Sequence, residues 1–165
     1  MKFTVTHAYD HSADEVLAAL TDFDQMKAKY EALGQSAVTL VSRRGQPDGA
    51  VVVTTQRVVP LQVPSFAKRV LSPKQSVTQT DTWSATDAQG GRRGTFTVEA
   101  KGTPVKISGT MRLQPTDDHA CTDTMDVSID CSVPLIGGKL ADFVSGDTRR
   151  ALDHERDWVT SHLVH

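Results

Sequence analysis

The stretch Cys131–Leu163, CSVPLIGGKLADFVSGDTRRALDHERDWVTSHL, decides how the rest of the chain is read. It opens like the end of a strand and turns at Pro134. From Ile136 to Leu163 its spacing predicts one long helix. At 1.5 Å per residue such a helix reaches ~40 Å, enough to cross a whole sheet. Gly137, Gly138 and Gly146 weaken it locally, each by about 0.5–1 kcal/mol relative to alanine. With Ile136 at 0° and steps of ~100°, Leu140, Phe143, Asp147, Ala151, His154 and Trp158 fall within about 60° of Ile136. Leu152 falls elsewhere, and Arg149 and Asp153 point away. The predicted inward stripe thus carries an acid, Asp147, and an imidazole, His154.

Upstream the pattern changes to strands. Lys2–Tyr9 alternates Phe3, Val5, His7 and Tyr9 against Thr4, Thr6 and Ala8, a two-residue period with β-branched content. Ser12-Ala-Asp-Glu15 is a capping-box pattern before Val16, Leu17 and Leu20. A second short helix is expected over Asp24–Leu33, closed by Gly34. Strands are then expected at Ser36–Arg44, Ala50–Val59, Gln75–Thr86, Gly94–Ala100, Val105–Leu113 and Ala120–Ser132, joined by short turns. Short links suit antiparallel neighbours, so six strands in succession predict a meander. Pro60–Leu71 interrupts it. Pro64 suits a helix start and Ser72-Pro73 a stop, which predicts one or two helical turns. Its Leu61, Val63, Phe66, Val70 and Leu71 are too apolar for an idle loop. Core packing is expected ahead of a mobile lid.

The totals exclude several classes. The chain has 165 residues, 38% hydrophobic and 23% charged, with 18 basic against 20 acidic residues and a pI of about 6.3. That length favours a single domain over 1–165. The arginine pairs Arg43–Arg44, Arg92–Arg93 and Arg149–Arg150 are scattered, so no basic stripe marks a nucleic-acid partner. No apolar run approaches the ~20 residues of a membrane span. MKFTVTHAYDHS has no signal-peptide core, and a cytoplasmic location is the expectation. Cys121 and Cys131, on one strand, lie about 33 Å apart, beyond the ~4.4–6.8 Å reach of a disulfide. No spacing suggests a metal site, no phosphate or dinucleotide loop is present, and no cofactor is expected. A monomer or weak homodimer is expected.

The order β, α, α, six β and one long α resembles the helix-grip fold of the START-like superfamily, which includes the birch-pollen-allergen proteins. MKFTVTHAYDHSADEVLAALTD is similar to the superfamily's opening strand, turn and first helix. Val133-Pro-Leu-Ile-Gly-Gly-Lys139 is similar to the start of the last helix in a family of uncharacterised actinobacterial proteins within it. The resemblance implies an α+β domain: a curved seven-stranded antiparallel sheet wrapped around the C-terminal helix, with a cavity between them. It carries no catalytic motif, and fold alone does not fix function.

Candidate ligand-binding residues follow from the predicted inner faces. On the C-terminal helix they are Phe143, Asp147, His154 and Trp158. On the sheet they are Arg57, which shares a side with Val51 and Val53, and Gln79, Asp81 and Trp83, which share a side with Val77. A few polar groups in an apolar concave surface are the usual make-up of a ligand pocket. Asp147 and His154 lie ~10.5 Å apart along the axis, too far to pair, so water or a polar ligand is expected between them. The competing reading is a core with polar pairs such as Arg57–Asp81 or Arg57–Asp147. The function expected first is binding of a small, mainly apolar molecule, lipid or polyketide-like, as carrier or sensor. A cyclase- or hydrolase-like enzyme using a pocket acid or histidine is the alternative. A ligand-free interaction module is the third.

Overall fold

The computed structural model describes residues 1–163. Its elements run β1 (Lys2–Tyr9), α1 (Ala13–Thr21), α2 (Phe23–Ala32), β2 (Ser36–Gly45), β3 (Val51–Pro60), β4 (Lys74–Trp83), β5 (Arg92–Ala100), β6 (Val105–Asp117), β7 (Ala120–Cys131) and α3 (Gly137–His162). A short 3₁₀ turn, Ser65–Ala67, lies between β3 and β4. All seven strands form one antiparallel sheet in the order β1-β7-β6-β5-β4-β3-β2. Strands β2 to β7 are a plain meander. The first strand then closes beside the last, from Lys2 opposite Ser128 to Tyr9 opposite Cys121.

The caps are those the sequence encodes. Glu15 N–H donates to Ser12 Oγ (3.1 Å), and Glu15 Oε1 accepts from Ser12 N–H. Asp22 ends α1 and caps α2, accepting from Gln25 N–H at 3.0 Å. Gly34 closes α2 with φ +84°, where a side chain would be strained. β6 runs past its expected end at Leu113 to Asp117, because a register shift after Pro115 accommodates the ring. Gly109 sits at a close approach. A Cβ there would overlap the Asp126 carbonyl oxygen and come within 2.9 Å of the Phe96 ring. The missing side chain lets Phe96 lie on the inner face.

α3 lies across this face, and its buried line is Leu140, Ala141, Val144, Ser145 and Val159. The predicted stripe was therefore rotated by almost a quarter turn. It was anchored on Ile136, which proves to be the N-cap, outside the helix, and on Trp158, whose amphipathic ring suits a rim. The small Ala141 and Ser145 let the helix approach the sheet on the other side.

The segment after β3 packs as core. Ala67 and Leu71 are buried, while Leu61, Val63, Phe66 and Val70 rest against the core. Leu61 N–H donates to Pro73 O at 2.8 Å, tying the two ends together. Lys139 Nζ sits 5.0 Å above the Phe66 ring, which holds the segment to the first turn of α3.

Candidate functional site

Between the sheet and α3 lies a cavity of about 170 Å³. Val98, Ile107 and Met125 supply its floor, Val144, Ala151 and Leu152 its roof, and Leu61 and Leu71 one side. These are strand residues of one parity and helix residues of the inward line, which is why the wall is apolar. An apolar cavity of ~150 Å³ holds benzene and stays dry. Polar groups enter at the edges: Arg57, Gln79, Asp147 and Glu155.

A second cavity, about 70 Å³, lies beside the first. Gln79, Phe96, Met125, Leu152 and Glu155 line both. The smaller one is far more polar. Lys29 of α2 is buried, its Nζ 3.6 Å from Glu155 Oε1. The Tyr30 ring carries two cations, with Arg57 Cζ at 4.0 Å and Lys29 Nζ at 4.7 Å, an arrangement favoured by the ring quadrupole. Arg57 Nε donates to Gln35 Oε1 at 2.6 Å, and Gln79 Nε2 donates to Asp81 Oδ1 at 3.0 Å. Arg57 Nη1 and Asp123 Oδ1 are buried without a hydrogen-bond partner among the described residues.

Burial sets the protonation of this region. It pushes the Asp123 carboxyl up to about 7, against the opposing pull of Lys29. Asp81 is also raised by burial, although the Gln79 hydrogen bond, Lys29 and Arg57 all favour its ionised form. For Lys29, burial favours the neutral amine, yet Tyr30, Glu155 and Asp81 outweigh it and hold the pKa above the ordinary value. Tyr30 and Tyr9 are raised chiefly by burial. Burial likewise raises the thiol of Cys121 to about 11 and that of Cys131 upward. Both thiols are free, and their direction of shift is that of packing groups rather than nucleophiles.

The anticipated residues divide. Arg57, Gln79, Phe143 and Asp147 line the larger cavity, and Asp81 and Trp83 line the smaller, with Gln79 in both. His154 does not face inward: it is exposed and lines neither cavity. Its position on α3 is the outer margin once the helix takes its observed rotation. Trp158 also lines neither; its ring stacks on His162 at 4.0 Å and 12°. The anticipated pairs are replaced as well. Arg57 meets Gln35 and Tyr30 instead of Asp81. Asp147 pairs with Arg150 one turn along its own helix, at 3.9 Å, and burial raises its pKa against that partner. His7 is buried, with Nε2 3.2 Å from Asp153 Oδ1.

Four site residues escaped the sequence reading: Lys29, Tyr30, Asp123 and Glu155. Two had a signal. Asp123 shares strand parity with Cys121 and Met125, and Glu155 lies three and four residues from Leu152 and Val159. Among the described residues no three His, Cys, Asp or Glu side chains converge as metal ligands, and no helix is long and apolar enough to cross a membrane.

A seven-stranded antiparallel sheet gripping a long C-terminal helix, with two short helices after the first strand, is the helix-grip architecture of the START-like class. Solved structures agree over nearly the whole chain. The Zhui aromatase/cyclase from Streptomyces sp. R1128 matches with a TM-score of 0.67 at 13% identity, covering 99% of this chain and 93% of that one. A START superfamily protein from Mycobacterium smegmatis matches with a TM-score of 0.59 at 12% identity, covering 98% and 96%. The chain belongs to a family described as a protein of unknown function, DUF2505, whose model matches residues 4–163. An uncharacterised protein of Mycobacterium tuberculosis is 26% identical over 175 residues, 98% of each chain.

Proposed function

We propose that this protein binds a small, mainly apolar molecule in the larger cavity, as a carrier or sensor. The observation that carries this reading is the wall itself. Val98, Ile107, Met125, Val144 and Leu152 surround about 170 Å³ that no side chain fills, although protein interiors ordinarily close such gaps. A cavity of this kind costs stability, and an apolar ligand offsets that cost by removing its own surface from water at ~25 cal/mol per Å². Arg57 at the margin has a buried Nη1 with no hydrogen-bond partner among the described residues and supplies a direction for a polar atom.

The test is titration with the neutral fluorophore N-phenyl-1-naphthylamine. Saturable one-to-one binding in the micromolar range, competed by small arenes, is expected. Emission that rises linearly without saturation contradicts the proposal. Mass spectrometry of a solvent extract of the purified protein then identifies what travels with it.

A further inference from the structure

The smaller cavity contains a feature that an apolar ligand alone leaves unexplained. Asp123 is 6% exposed and lines this cavity, and its Oδ1 has no hydrogen-bond partner among the described residues. Buried polar groups are ordinarily satisfied. Its cross-strand neighbours are His7, whose Nε2 is directed to Asp153, and Leu113, which has nothing to donate. The nearby ammonium of Lys29 is engaged by Glu155 at 3.6 Å. Among the described residues no donor reaches Asp123 Oδ1, so a group that arrives from outside can complete it.

We propose, resting on the binding role above, that the smaller cavity is a polar subsite in which Asp123 accepts a hydrogen bond from a donor group at one end of the ligand. The route is continuous, since five residues line both cavities. Met125, in both walls, follows Asp123 by two positions on one face of β7, about 7 Å along the strand. An apolar body over Met125 therefore needs only a short tether to present its end to Asp123. The donor is a hydroxyl or an ammonium. An anionic end is disfavoured at Asp123, beside Asp81 and Glu155, because the two cations that line the space, Lys29 and Arg156, are paired with Glu155 and Asp157.

The test is a set of phenylpropyl compounds that differ only at the far end: butylbenzene, 3-phenyl-1-propanol, 3-phenylpropylammonium and 4-phenylbutanoate. Affinities are read by calorimetry on the wild type, Asp123→Leu and Asp123→Asn. In the wild type the alcohol or the ammonium compound is expected to bind at least tenfold tighter than butylbenzene, and the carboxylate weakest. Asp123→Leu is expected to reduce that advantage below twofold while leaving butylbenzene affinity unchanged. Asp123→Asn separates the donors: a neutral carbonyl oxygen retains most of the alcohol's advantage and loses the ammonium's. If Asp123→Leu does not fold, the wild-type ranking and Asp123→Asn still decide. Equal affinity of butylbenzene and both donors in the wild type overturns this subsite and leaves only water beside Asp123. An advantage that survives in Asp123→Leu overturns it too. If no member binds, the binding role fails with it.

Discussion

Replacing Lys29 with methionine is expected to cost about 3–5 kcal/mol of unfolding free energy, the usual penalty for removing one partner of a buried ion pair. Lys29 is 5% exposed, and its ammonium lies against Glu155 and faces the field of Asp81. Methionine nearly matches the stem's volume, so the loss is electrostatic rather than a cavity. The variant leaves Glu155 and Asp81 facing each other in a poorly solvated space. Asp81, which burial already raises, should then titrate higher still in the folded state, because it loses the Lys29 charge that favours its ionised form. A raised folded pKa gives stability at low pH that is lost as pH rises through it. The deficit is therefore expected to be smallest near pH 4 and to grow toward neutrality. Urea unfolding of the variant between pH 4 and 8 measures it. Replacing Glu155 by methionine in the same chain should restore most of the loss, since apolar substitution of a whole buried pair is often neutral. A deficit below ~1 kcal/mol at neutral pH would show that the pair adds nothing to the fold.

Ala151→Trp is expected to abolish apolar binding. Ala151 is the smallest residue in the roof of the larger cavity, and an indole placed there occupies the space a ligand needs. Affinity for the naphthylamine probe should fall at least a hundredfold, about 2.7 kcal/mol. Overpacking a filled core typically costs 1–3 kcal/mol, but here the ring enters vacant volume. The melting temperature should therefore hold or rise. Unchanged affinity in a folded variant would place the probe outside this cavity.

The contrast between these two sites shows where the sequence was legible. The fold was written in local signals: the Ser12 capping box, Gly34 closing α2, two-residue alternation between short turns, and the long helical spacing after Pro134. Those signals act within a few residues, and pattern reading captures them. The apolar floor was legible for the same reason, since Val77 and Trp83 fix the parity that turns Gln79 and Asp81 inward. The rotation of α3 was not, because Leu140 and Ala151 lie where two adjacent stripes overlap. Packing against β7 and α2 chose the one with Leu152, Glu155 and Val159, and sent His154 to solvent. Lys29 was illegible for a different reason. Its burial depends on Glu155, 126 positions away, and no local pattern reports a partner at that distance. Asp123 could have been found by the parity that revealed Asp81, since it shares one face of its strand with Cys121 and Met125.

Location of a bound apolar molecule tests the central claim most directly. With the methyl groups of Ile, Leu, Val and Met labelled, nuclear Overhauser effects from bound butylbenzene can be assigned to individual side chains. Contacts to Val98, Ile107, Met125 and Leu152, which converge on the larger cavity, are the predicted result. Contacts confined to the exposed Leu40, Val41 and Leu135, with none to those four, would contradict it.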